Sequence, residues 1–486
     1  MSSCRKDFET VLPTTALEFS KDTVYLDTVF SNIGSSTYQL KVYNRSNKNI
    51  GIPSITLGRK DASQYRLSVD GASGKVFENV EILAKDSIYI FIETTINYQE
   101  LTNPIYTDSI VFSGGPELQS VNLVTLVKDA HFLYPSRLNG FIEKIPIGTN
   151  SDGDLIEVNG FYLNQNTVFN SEKPYVIYGY CAIPEQGTLS ILPGASIFFH
   201  ANSGLIAEKN SSLMIQGSLE NKVTLEGDRM ESSFSDTPGQ WGAIWLRAGS
   251  KESLIEHAII KNATIGIISD SISDNPSPSL VISNTEIYNS SKIGLLGRSS
   301  NIKGENLVIN NSGQSSFAGI IGGTYNFTHC TFTNYWSQSL RQYPSVMLNN
   351  YYLTSDGTVI TEDLYSANFV NCIIDGNSNI ELIVDKANDG LFNFMFENNL
   401  IKFNDPTEIY TGIEEMNLAD ERFYLDNILN QNPDFLNPYE NQLNIGKQSA
   451  GIGKAKIEES QLIPFDLLGT QRLTPADIGA FEYIEF

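Results

Sequence analysis

Six segments of this chain repeat one pattern, a short β-type run with a polar residue at its second position. They begin at Glu256, Ser283, Glu305, Thr328, Val370 and Glu397, and five of the six close on Asn or Gly. The second positions are His257, Asn284, Asn306, His329, Asn371 and Asn398, so successive copies lie 27, 22, 23, 42 and 27 residues apart. A helical repeat of this length would show apolar residues three and four apart, whereas these runs are brief and end in turn residues. A unit this small cannot bury its own apolar face and must stack on its neighbours, so each copy reads as one coil of a solenoid.

The period suits an all-β solenoid, a parallel β-helix, with about three short strands and three turns in each coil and coils stacked about 4.8 Å apart. Composition agrees: charged residues are only 18% of the chain while Tyr and Phe number 23 and 26, a balance that favours strands over charge-laced helices. The 42-residue interval predicts an insertion, an excursion over residues 335–363. Less regular copies upstream, such as Thr188 to Leu192 and Gly242 to Leu246, extend the solenoid. Its expected span is 174–403, after a connector and cap at 131–173 and before a last coil and cap at 404–486.

Residues 8–130 read differently. Tyr38, Leu40 and Val42 alternate with Gln39, Lys41 and Tyr43, and clusters such as Asp70-Gly71-Ala72-Ser73-Gly74 punctuate the runs. About seven short strands fit, as in a β-sandwich. The run from Thr28-Val29-Phe30 through Lys41-Val42-Tyr43-Asn44 to Ile52 resembles the immunoglobulin-like modules of bacterial surface proteins.

Three further segments carry a second resemblance: Gly187-Thr188-Leu189-Ser190-Ile191-Leu192-Pro193-Gly194, Gly239-Gln240-Trp241-Gly242-Ala243-Ile244-Trp245-Leu246, and the tail Asp477-Ile478-Gly479-Ala480-Phe481-Glu482-Tyr483. With Asn432-Pro433-Asp434-Phe435 they resemble right-handed β-helix proteins of the pectin-lyase-like superfamily, whose members include enzymes and non-enzymes. Residues 1–7, with Cys4 behind Ser2-Ser3 and ahead of Arg5, Lys6 and Asp7, resemble the stub of a Bacteroidetes-type lipoprotein signal. That resemblance implies lipidation of Cys4 and an outer-membrane or cell-surface location, with the periplasm as the alternative.

Several functional classes recede on chemistry alone. With 32 basic against 56 acidic residues the chain carries a net charge of −24, which repels phosphate backbones, so no nucleic-acid partner is expected. No apolar run approaches membrane-spanning length, leaving a lipid anchor as the expected route to a membrane. Cys4, Cys181, Cys330 and Cys372 are too scattered for a disulfide framework or a CxxC metal site, and Cys330 and Cys372 are expected as buried thiols on adjacent coils. Asn150-Ser151-Asp152-Gly153-Asp154 lacks the offsets of a calcium loop.

His257 and His329 share a column with four asparagines, which predicts a structural ladder bonding turn backbone from coil to coil rather than a catalytic pair. Lyases and hydrolases of the resembled superfamily use clustered aspartates, and no such cluster stands out. Aromatic rings are the better ligand candidates, because their faces stack on the apolar face of a sugar. Tyr335 and Trp336, beside the insertion with Arg341, come first, followed by Trp241. The expected function is non-catalytic binding of a polysaccharide or surface glycan with no cofactor. The alternatives are a β-helix lyase or glycoside hydrolase, calcium entering only with the lyase, and a purely structural or protein-binding surface protein.

Overall fold

The computed structural model describes residues 9–101, 103–150, 152–270, 277–354, 356–387 and 389–485, so the proposed lipidation site Cys4 lies outside the described residues. The chain is all-β, with two compact units. One comprises residues 9–130 with 230–232, the other 131–229 with 233–485.

In the first unit, two five-stranded sheets enclose one core. One sheet runs Glu18–Phe19, Tyr38–Tyr43, Ser87–Thr94, Tyr65–Val69, Ala72–Gly74, antiparallel throughout. The other runs Thr23–Phe30, Gln119–Lys128, Ile105–Phe112, Ile50–Leu57, Val76–Ile82, with one parallel pair between its first two strands. Alternation decides which side chains enter: Leu40 and Val42 are fully buried while Gln39, Lys41 and Tyr43 face outward. Tyr65 is the largest ring inside, and its hydroxyl is satisfied by Thr125 Oγ1 at 2.9 Å.

The second unit is built from large parallel sheets, an arrangement consistent with a β-helix. Three strand ladders recur in each coil. One runs through Tyr175–Ile177, Ser196–Phe199, Val223–Gly227, Ala258–Lys261, Glu286–Ser290, Val308–Ser312, Thr331–Asn334 and Ile373–Gly376. A second includes Tyr180–Ile183, Gly204–Ala207, Ile244–Leu246 and Ile265–Asp270, and a third Thr188–Ile191, Ser212–Gln216, Ser253–Glu256 and Leu280–Ser283. The long strands Ile293–Glu305 and Phe317–Thr328 pass from the second ladder into the third through an irregularity between Arg298 and Ser300, where their register shifts. Inside, Phe327, Phe369, Phe396 and Tyr424 stack from coil to coil with centroids 5.2, 4.7 and 5.5 Å apart.

Between the third ladder and the first, the chain turns on a single residue. His257, Asn284, Asn306, His329, Asn371 and Asn398 stand there with φ of 47°, 47°, 48°, 51°, 56° and 53°, and Asp426 follows at 52°. This left-handed corner costs Asn less than most side chains, because its short amide bonds locally. Asn306 Nδ2 donates to Asn284 Oδ1 at 3.0 Å, and Asn371 Nδ2 lies 3.1 Å from His329 Nε2. Cys330 and Cys372, one position further on, are buried free thiols on adjacent coils.

The insertion expected over residues 335–363 is not one excursion. Val346–Asn349 within it is a regular coil strand, paired with Phe317–Thr328 on one side and Leu382–Asp385 on the other, with Val346 and Leu348 fully buried. What departs from the coil is a loop before it, residues 335–345, and a hairpin after it, Tyr351–Leu353 with Val359–Thr361. Two apolar residues of the right spacing suffice to return the chain to the core between two excursions.

The tail folds back over the first ladder. Leu443, Leu467, Ala480 and Phe481 cover Tyr288 and Val308, while Ile445, Ala455, Ala476 and Ile478 cover Ile373 and Leu400. Gly479 has φ of 101°, and a Cβ there would meet Ile373 Cδ1 at 2.7 Å, so the motif admits only glycine at this approach.

Candidate functional site

The first ladder has a second left-handed corner at its far end. Asn262, Asn289 and Asn311 occupy it, with φ of 66°, 56° and 55°. Asn289 and Asn311 line a groove of about 430 Å³, together with Asp236, Pro238, Trp336, Ser337, Gln338, Tyr439, Glu440, Asn441 and Gln442. Residues 235–238 border it, as do the loop after Thr331–Asn334 and the 3-10 turn Pro438–Glu440.

Asn441, itself left-handed at φ 59°, joins tail and coils. Its Oδ1 accepts from Asn310 Nδ2 at 2.9 Å and Asn311 Nδ2 at 2.8 Å, and its Nδ2 donates to Asn289 Oδ1 at 3.2 Å. Asn289 Nδ2 in turn donates to Asp236 Oδ1 at 3.3 Å, and Asn262 Nδ2 to Ser235 O at 2.8 Å. Mutually bonded amides make a rigid floor, and the exposed side chains above it, Asp236, Ser337, Gln338, Tyr439, Glu440 and Gln442, remain open to solvent. No Lys or Arg lines the groove.

Of the four ligand-contact candidates from the sequence, Trp336 lines this groove; it is 8% exposed, and its Nε1 donates to Ser339 Oγ at 2.9 Å. Tyr335 stands behind the lining. Its ring meets the Tyr439 ring edge-on with centroids 5.4 Å apart, and its hydroxyl donates to Asp375 Oδ1 at 2.9 Å. Tyr439, 57% exposed, presents the accessible ring.

Arg341 and Trp241 are corrected. The Arg341 guanidinium forms a two-pronged ion pair with Glu381, 2.5 and 2.8 Å, and also donates to Tyr343 O, Asn334 O and Asn377 Oδ1. With side-chain exposures of 2% and 0% the pair is enclosed, so Arg341 anchors the 335–345 loop instead of touching a ligand. Trp241 is 1% exposed, stacks on Phe199 at 4.3 Å, and donates its indole N–H to Lys261 O. It precedes the strand Ile244–Leu246, makes an isolated bridge to Ala263 and packs in the core.

Behind the groove, burial pushes the Asp375 carboxyl up to about 6, opposed by Lys402, the Tyr335 hydroxyl and the Gly376 amide. His329 is fully buried against Ser460 and Asn371, and burial together with Arg472 drives its basicity well below the ordinary value. His200 pairs with Asp228 at 2.8 Å on the surface. Among the described residues no group of three or more His, Cys, Asp and Glu could hold a metal ion.

Sequence reasoning missed Tyr439, Asn441, Asn289, Asn311 and Asp236 as groove residues. Asn289 and Asn311 close two of the repeat copies, so their recurrence was a signal. Tyr439 and Asn441 lie more than a hundred residues away, and nothing local marks them.

No family model matches the chain, and no curated protein matches it. Among solved structures it is similar, at 9% identity and TM-score 0.18, to a family 123 glycoside hydrolase from Clostridium perfringens studied for glycolipid glycan hydrolysis. That match covers 25% of this chain and 30% of the other, so the chain spans under a third of that protein. It is also similar to the catalytic unit of a thermostable GH87 alpha-1,3-glucanase from Streptomyces thermodiastaticus strain HF3-3, at 9% identity and TM-score 0.23, covering 74% of this chain and 83% of that one. Likenesses this slight carry no functional argument.

Proposed function

We propose that this chain is a glycan-binding protein that holds a sugar chain in the groove of its solenoid unit without turning it over. The observation that carries the reading is the lining: the exposed ring of Tyr439, with the largely buried Trp336, beside Asn289, Asn311 and Asn441, with Gln338 and Gln442 at the rim. Aromatic faces stack on the apolar face of a pyranose, and amides both donate to and accept from its hydroxyls. A lining with two carboxylates and no cation suits a neutral glycan better than a polyanionic one.

With this reading go the finer structural proposals: a right-handed β-helix of the pectin-lyase-like type, an immunoglobulin-like first unit, and a lipid anchor at Cys4 holding the protein on an outer membrane or cell surface, or in the periplasm. Hydrolysis is the second reading, favoured by one observation, that Asp236 and Glu440 line the same groove.

The test incubates the purified protein with neutral and anionic polysaccharides, with and without calcium, scoring retention by affinity electrophoresis and new reducing ends. Retention on a neutral glycan without new ends is expected. Tyr439→Ala should weaken it about tenfold, roughly 1.4 kcal/mol. New ends abolished by Asp236→Asn or Glu440→Gln would replace binding by hydrolysis, and silence in both channels would leave the structural or protein-binding role.

A further inference from the structure

The outward face of the first unit's antiparallel sheet carries rings where a solvated sheet face ordinarily carries polar side chains. On its three central strands, Tyr38–Tyr43, Ser87–Thr94 and Tyr65–Val69, the outward residues are Gln39, Lys41, Tyr43, Ser87, Tyr89, Phe91, Glu93, Arg66 and Ser68. Lys41 pairs in register with Tyr89, and Phe91 lies between Gln39 and Ser68. Tyr89 and Phe91 are 44% and 43% exposed, and their rings lie within 18° of parallel with centroids 6.3 Å apart.

The charges on this face are arranged around the rings. Lys41 Nζ sits 5.1 Å from the Tyr89 centroid and 5.3 Å from that of Tyr43, and the Arg45 guanidinium lies 4.2 Å from the Tyr43 centroid. Arg45 is paired with Glu18 at 2.6 Å and Arg66 with Glu93 at 3.6 Å. Among the described residues no carboxylate pairs with Lys41. Lys41, Arg45 and Arg66 against Glu18 and Glu93 leave one uncompensated cation at this cluster, on a chain whose net charge is −24.

We propose that this face is a second binding site, and that its ligand is a glycan bearing carboxylates. Exposed rings offer stacking area to pyranose faces. The Lys41 ammonium, held between two rings and without a carboxylate of its own, supplies a counter-charge for a uronate. A protein partner is disfavoured because interface cores are depleted in Lys and a standard interface needs about 800 Å² on each side, more than three rings present. The solenoid groove, with carboxylates and no cation, selects the opposite ligand.

The experiment uses the full chain with a soluble polyglucuronate and its neutral methyl ester, read by affinity electrophoresis. The wild type should retain polyglucuronate. Tyr89→Ala/Phe91→Ala should lose about tenfold on the acid, whereas Lys41→Gln should lose about fivefold on the acid and change retention of the ester little. Thermal melting checks that these exposed substitutions leave the fold intact, and Tyr439→Ala should retain full affinity for the acid. The proposal fails if the wild type does not retain polyglucuronate, if the ring variant keeps its affinity, or if Tyr439→Ala abolishes binding. It fails equally if the ring or lysine variants change the oligomeric state by size exclusion without glycan, since a second copy would then be the occupant.

Discussion

Asp375 shows how one residue's chemistry depends on neighbours that its own segment does not contain. It is 5% exposed, its carboxyl is pushed up to about 6 by burial, and its Oδ1 takes the Tyr335 hydroxyl at 2.9 Å. An acid raised above its unfolded value contributes stability that is complete below about pH 4 and lost as pH rises through about 6. Asp375→Asn should therefore be more stable than the wild type above pH 6, by about 3 kcal/mol at pH 8, and melt higher there, with the difference closing near pH 4. Parallel melting-temperature curves from pH 4 to 8 would rule this out. Of the rings and charges marked beside the expected insertion, Trp336 reaches the groove, whereas Arg341 spends its guanidinium on Glu381. That outcome was not legible, because Glu381 lies 40 residues further on and only the return of the chain brings the two together.

At the scale of the element, the left-handed corner explains the residue types in the repeat column. The recurrence of Asn and His was legible as a period; the reason for it is a φ near 50°, a backbone state that asymmetric sterics deny to most side chains. His329 tests the point. It bonds Ser460 Oγ at 2.9 Å and faces Arg472, Asn371 and the Gly479 carbonyl, with its basicity well below the ordinary imidazole value. A base depressed in the folded state contributes stability that is complete above its unfolded value, near 6.5, and lost as pH falls below it. His329→Asn, which keeps the residue type used at four other corners, should fold and lose that acid sensitivity, about 1.4 kcal/mol per pH unit below 6.5. Urea unfolding at pH 5 and 7 measures it; an unchanged pH slope would show that His329 does not titrate on unfolding. The slope is opposite in sign to that of Asp375, so single variants are needed to separate them.

For the whole molecule, a net charge of −24 and a groove without cations make a joint prediction. Retention of a neutral glycan should change less than about twofold between 50 and 500 mM salt, since no ion pair is formed or screened, and duplex DNA should not be retained at any of these concentrations. A steep salt dependence would place the binding elsewhere. The all-β class, the solenoid period and the corner column were written in local sequence, because strand alternation and left-handed turns are properties of a few consecutive residues. The groove was not. Its floor comes from Asn289 and Asn311, its accessible ring from Tyr439 and its joining amide from Asn441, which meets Asn289 across 152 residues. Local sequence determines which residues can pair within a coil or turn between strands. Only tertiary structure decides which face the returning tail covers, because that choice depends on apolar surfaces such as Tyr288, Val308 and Ile373 that exist only once the coils have stacked.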